Sequence, residues 1–97
     1  MLGTIEEIID NTVKINLSVD ISEQPNLVSL HVVFEDGTNK KVVAEIANVN
    51  KKEMYANIVG EINNGIFSPG STTKPSFKSK VRIIGMKELE LILGKQE

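Results

Sequence analysis

The strongest constraint on the fold is the side-chain alternation between residues 26 and 49, NLVSLHVVFEDGTNKKVVAEIANV. In the first half Val28, Leu30, Val32 and Phe34 fall on one face. In the second, Val42, Ala44 and Ile46 share a face, while Val43, Ala47 and Val49 share the other. Successive side chains of a strand point to opposite sides, so this period of two marks strands half buried against a core. Between the runs stands Glu35-Asp36-Gly37-Thr38-Asn39-Lys40, in which Asp36-Gly37 supplies the positive-φ backbone of a turn at little steric cost. The segment reads as a β-hairpin, the spine of a small β-domain.

The remaining chain repeats this logic in shorter units. Leu2–Ile9 and Thr12–Val19 are apolar, β-branched runs separated by Asp10-Asn11, and they predict a first hairpin. Ser22–Asn26 reads as a loop, with Pro25 unable to donate to a strand ladder. Glu53–Asn57 fits a helical turn or a bulge into another strand. Asn57–Ile62 reads as a short strand in which Gly60 marks a bulge or a close backbone approach. Asn63–Ser76 is the one long irregular segment, and loops of that length are often functional or mobile; here it is expected to be a contact surface. In Phe77–Ile84 the alternation returns, placing Phe77 on the face of Val81, in the core. At Met86–Leu93 the period changes: Met86, Leu89, Ile92 and Leu93 form a helical stripe, stopped by Gly94. These elements predict a mainly β fold, a small six-stranded β-barrel, closed or partly open, followed by a short C-terminal helix. The barrel takes residues 1–85, and 86–97 form the helix or a linker.

Ninety-seven residues suit one domain. With aromatics at 4%, the core must be aliphatic. Cysteine is absent, which removes disulfides, thiolate metal sites and a cysteine nucleophile, and fits a reducing, cytoplasmic setting. No apolar run approaches the roughly 20 residues of a membrane span, and MLGTIEEIID is too acidic for a signal peptide. The formal net charge of −2 gives no global attraction to nucleic acid. The charge is unevenly spread: residues 1–36 hold seven acids and one base, whereas residues 37–82 hold eight bases and three acids. Two oppositely charged edges would favour side-by-side packing of subunits; otherwise they are a solvated, mixed surface.

No catalytic constellation emerges. Gly70–Ser76 (GSTTKPS) lacks the phosphate-loop spacing, and Pro75 removes an N–H that a phosphate cradle needs. His31 is the only histidine and reads as a strand-surface residue; with no G-x-S-x-G elbow, no serine is marked as a nucleophile. Glu6, Glu7 and Asp10 read as a solvated face, and the sequon Asn16-Leu17-Ser18 carries no weight without a secretory signal. No catalytic, cofactor-binding or metal-ligating residue is assigned. Two contact candidates remain. Ile66 and Phe67 are apolar residues in the long polar segment, placed either to tuck over a barrel end or to dock a subunit or partner. Lys74, Lys78, Lys80 and Arg82 form a basic strip around Phe77, the pattern with which a barrel grips single strands.

The order of several short motifs resembles a known family. They are the early glycine strand Leu2-Gly3-Thr4-Ile5, Val43-Ala44-Glu45-Ile46, Val59-Gly60-Glu61-Ile62, the Pro-containing loop, a strand holding Lys80-Val81-Arg82-Ile83, and Glu88-Leu89 to Ile92-Leu93-Gly94. In this order they resemble the HAS-barrel, the N-terminal β-barrel of HerA-type DNA-translocating ATPases, similar to the N-terminal barrel of the ATP-synthase catalytic-core subunits. Residues 66–76 depart from the family in lacking a P-G-S-x-V arrangement. The resemblance implies a non-catalytic barrel that helps assemble a hexameric ring and offers a docking surface to a partner nuclease. ATP and magnesium would then belong to a motor domain outside this chain, and DNA would be engaged by the full-length protein. The alternative is a stand-alone barrel that binds single-stranded nucleic acid.

Overall fold

A computed structural model of the protein describes residues 2–21, 30–70 and 73–94. The expected loop Ser22–Asn26 and the Val28 end of the spine hairpin lie outside the described residues. Seven strands and one helix follow in order: β1 (Gly3–Ile9), β2 (Thr12–Leu17), β3 (His31–Glu35), β4 (Lys40–Val49), β5 (Glu53–Asn63), β6 (Ile66–Pro69), β7 (Lys80–Ile83) and α1 (Met86–Leu93). All strands belong to one sheet with the path β1-β2-β5-β4-β3-β7, and β6 pairs with β5 beside β2. The sheet curls strongly into a half-barrel. Its two edges meet where the Leu2 N–H donates to the Val81 carbonyl at 3.0 Å. The barrel is therefore the partly open form of the expected fold.

The spine hairpin forms, with Phe34 opposite Val42 and Val32 opposite Ala44. These side chains point inward and join Ile5, Val13, Ile15, Ile46, Met54, Ala56, Ile58 and Val81 in the buried core. At the turn Gly37 takes a φ of 92°. Asp36 accepts hydrogen bonds from the Thr38 N–H (3.1 Å) and hydroxyl (2.7 Å), which fixes the turn locally.

Simple alternation fails at three β-bulges. In β1 the register steps between Ile5 and Glu7, so Ile8 follows Ile5 onto the core side. In β4 it steps between Ile46 and Asn48, which turns Val49 inward, away from the face of Val43. In β5 the extra residue is Val59: Ile58 pairs with Ala44 inside the barrel, whereas Gly60 pairs with Val43 outside. A bulge places two residues opposite one and bends its strand, which lets a short sheet curl this far.

Strand β5 is longer than the sequence suggests, running from Glu53 through Ile62 to Asn63 as one element. The segment expected to be irregular starts with another hairpin. Asn64 (φ 54°) and Gly65 (φ 80°) turn the chain into β6, whose Phe67 lies opposite Ile62. The described residues thus hold seven strands rather than the six expected. The last strand is also shorter than its alternation implies. Ser76–Ser79 forms a tight turn, closed by the Ser79 N–H donating to the Ser76 carbonyl (3.0 Å), and β7 begins only at Lys80. Phe77 lies on that turn and is 57% exposed, not in the core, because the turn breaks the two-residue period upstream of Val81.

Helix α1 ends at Gly94 in the left-handed conformation (φ 69°). Its sheet-facing side is formed by Glu88, Leu89 and Ile92. Met86 and Leu93, expected on the apolar stripe, stand 70% and 61% exposed. On the same side Glu88 pairs with Lys41 and Arg82.

Candidate functional surfaces

The outer face of β3, β4 and β7 carries a compact charge cluster. Registration places Glu35 and Val33 of β3, Lys41 and Val43 of β4 and Arg82 of β7 on this side. The Arg82 guanidinium binds Glu35 (Nε to Oε2, 2.9 Å) and Glu88 of the helix (Nη2 to Oε2, 2.7 Å; Nη1 to Oε1, 2.8 Å). Lys41 also donates to Glu88 at 2.9 Å. Glu88 additionally accepts the Gly85 N–H at the helix start (3.1 Å), satisfying one of the donors that a first turn leaves unpaired. The Arg82 side chain above all, helped by Lys41 and the Gly85 N–H, holds the Glu88 carboxyl down at about 2 against the opposing effect of burial. Arg82 likewise lowers Glu35, and the two carboxylates raise Arg82. The cluster ties α1 to Lys41 of β4 and Arg82 of β7; Val33, Val43 and Ile62 are buried but lie outside the inner core.

The two residues singled out in the long segment have different surroundings. On β6, Phe67 is half-buried, and its ring lies over Gly60: a Cβ built on Gly60 would stand 2.8 Å from the Phe67 Cε1 and 2.5 Å from the Ser68 carbonyl. The glycine is there because a neighbour approaches closely. Ile66 opposes Asn63 beside the hairpin turn and is 68% exposed.

The basic strip is also divided. Arg82 is committed to Glu35 and Glu88. Lys74 is exposed and donates to Asn11 Oδ1 at 2.8 Å. Lys78 and Lys80 are exposed and line an open depression of about 420 Å3 with Glu35, Asp36, Gly37 and Thr38. Nothing in the sequence order signals that Arg82 differs from the three lysines, because its partners lie on β3 and α1.

A second, smaller depression of about 120 Å3 is lined by Glu7, Ile9, Thr12, Lys14 and Tyr55. There Lys14 bridges Glu53 (3.2 Å) and Glu6 (3.7 Å), with its ammonium 6.0 Å from the centre of the Tyr55 ring. His31 starts β3 opposite Glu45, half-buried. Among the described residues no group of three or more His, Cys, Asp or Glu side chains could hold a metal ion. No described helix is long and apolar enough to cross a membrane.

Comparison of the chain with protein-family models and with characterised proteins gave no match.

Proposed function

We propose that this chain is the non-catalytic barrel of a HerA-type, ATP-driven DNA translocase, a cytoplasmic hexamer, and that it serves ring assembly and docking of a partner nuclease. The supporting observation is the order of its elements. A curled β half-barrel closes at Val81 and passes through Ile84-Gly85 into a short helix capped by left-handed Gly94. That is the sequence of elements the HAS-barrel resemblance implies. Fold alone never fixes function, so the reading also leans on surface character. Ile66 projects from the β5–β6 hairpin as an exposed aliphatic side chain of the kind that anchors a protein contact.

The described residues do not form a nucleotide cradle. Pro75 is buried and has no N–H, and Lys74 is turned to Asn11. In this reading ATP and magnesium are held by the motor domain, which this chain does not include.

The test is the natural reading frame downstream of Glu97. A strand-to-helix G-x-x-x-x-G-K-[ST] motif within roughly 60 residues is expected. A frame that closes without it removes the motor and overturns the translocase reading.

A further inference from the structure

The turn Ser76–Ser79 displays an aromatic ring that the fold does not use. Its flanks are fixed: Pro75 and Ser79 are both buried. Its interior is fixed too, by the Ser79 N–H on the Ser76 carbonyl (3.0 Å) and the Lys78 N–H on the Ser76 Oγ (3.1 Å). The two residues at the tip, Phe77 and Lys78, are left exposed. In a chain with only three phenylalanines, the other two contribute to packing: Phe34 is in the inner core, and Phe67 covers Gly60.

The charges around the ring are not balanced. Lys78 and Lys80 line the open depression beside the β3–β4 turn. Of its two carboxylates, Glu35 is paired with Arg82 at 2.9 Å, and Asp36, held by the Thr38 N–H and hydroxyl, keeps its charge against the two lysines, which remain in excess. Among the described residues the ion pairs include neither Lys78 nor Lys80. Lys74, on the approach to the turn, hydrogen-bonds the neutral Asn11 amide and keeps its charge uncompensated.

We propose that this turn is a binding site for single-stranded nucleic acid. An unpaired base stacks on the Phe77 ring, and flanking phosphates meet the Lys78, Lys80 and Lys74 ammonium groups. Stacking accepts any base and needs only an exposed aromatic face, while the cations follow the backbone. An acidic peptide matches the charge but leaves the ring without a planar partner, and a duplex hides its base faces. Because the turn is already held at both ends, little ordering opposes binding. The site belongs to the barrel whether or not a motor follows it, so it stands independently of the translocase reading.

The experiment is fluorescence anisotropy of this 97-residue chain with a labelled oligothymidylate of about 15 nucleotides. Saturable binding is expected, weakening about 20-fold between about 50 and about 200 mM salt, as three phosphate contacts to a single strand predict. Phe77→Ala should weaken binding by roughly 5- to 100-fold, and Phe77→Trp should restore it. Lys78→Gln and Lys80→Gln should each flatten the salt slope by about 0.7. Circular dichroism should show all four variants folded, because these side chains are exposed. Lys87→Gln, an exposed lysine on α1 away from the turn, should bind as the parent does. Absence of binding, equal binding by Phe77→Ala, equal affinity for a duplex of the same length, or displacement by polyglutamate as effective as by unlabelled oligonucleotide would each overturn the proposal.

Discussion

The two faces of the β3–β4–β7 sheet are stabilised by different physics. The inner face is apolar: Val32, Phe34, Val42, Ala44 and Val81 pack with residues from β1, β2 and β5, and none carries a charge. The outer face also buries Val33 and Val43, and the helix tied to it has no buried residue of its own. What holds that helix is the Lys41–Glu88–Arg82–Glu35 cluster. Hydrophobic burial is non-directional and indifferent to pH, whereas a carboxylate–guanidinium fork fixes orientation and titrates. The inner face therefore sets whether the domain folds, and the outer face sets where the helix sits.

The largest effect should come from the inner face. Phe34→Ala leaves a cavity among fully enclosed neighbours and should cost about 3–5 kcal/mol in urea unfolding. A loss below about 1 kcal/mol would mean that the inner face is not the core. Gly60→Ala should follow, with a loss of about 1–3 kcal/mol, because the new methyl meets backbone at Ser68 as well as the Phe67 ring. A neutral Gly60→Ala would show that the β5–β6 hairpin packs more loosely than the structure has it.

Glu88→Gln should cost about 2 kcal/mol, since Arg82 keeps Glu35 but loses its second carboxylate. The pH dependence has a definite sign. Glu88 lies at about 2 in the fold against an ordinary 4.5. Its contribution is therefore complete above about 4.5 and is lost as pH falls toward 2. The parent protein should lose stability across that window, and Glu88→Gln should lose less. Equal acid sensitivity would remove the cluster as the helix anchor. The smallest effect belongs to Ile66→Ser, expected within about 0.5 kcal/mol, because the side chain is exposed. In the contact role proposed for Ile66, the same variant weakens self-association or partner binding while the melting temperature stays.

Most of the β-architecture is legible in the sequence. The alternation at Val32–Phe34 and Val42–Ile46, the turn residues at Asp10-Asn11 and Asp36-Gly37, and the left-handed stop at Gly94 all appear where the residues place them. The bulge beside Gly60 is signalled by that glycine, but those of β1 and β4 are not legible, because an extra residue changes which face a side chain occupies without changing composition; Val49 is the clearest case. Strand β6 does have a signal. Asn64-Gly65 is among the strongest two-residue hairpin turns, but it stands within a run of Pro, Gly and Ser that reads as loop. Phe77 and Arg82 illustrate what periodicity cannot reach. A turn upstream of β7 moves Phe77 to solvent, and partners 47 and 6 residues away turn Arg82 from a free cation into an anchor.

The most direct test of the functional reading is the mass of the complete natural protein by light scattering, with and without ATP. A ring of six subunits is the expected result, weakened or lost in Ile66→Ser if that hairpin joins neighbouring barrels. A monomer at every concentration, with or without nucleotide, would contradict the assembly role.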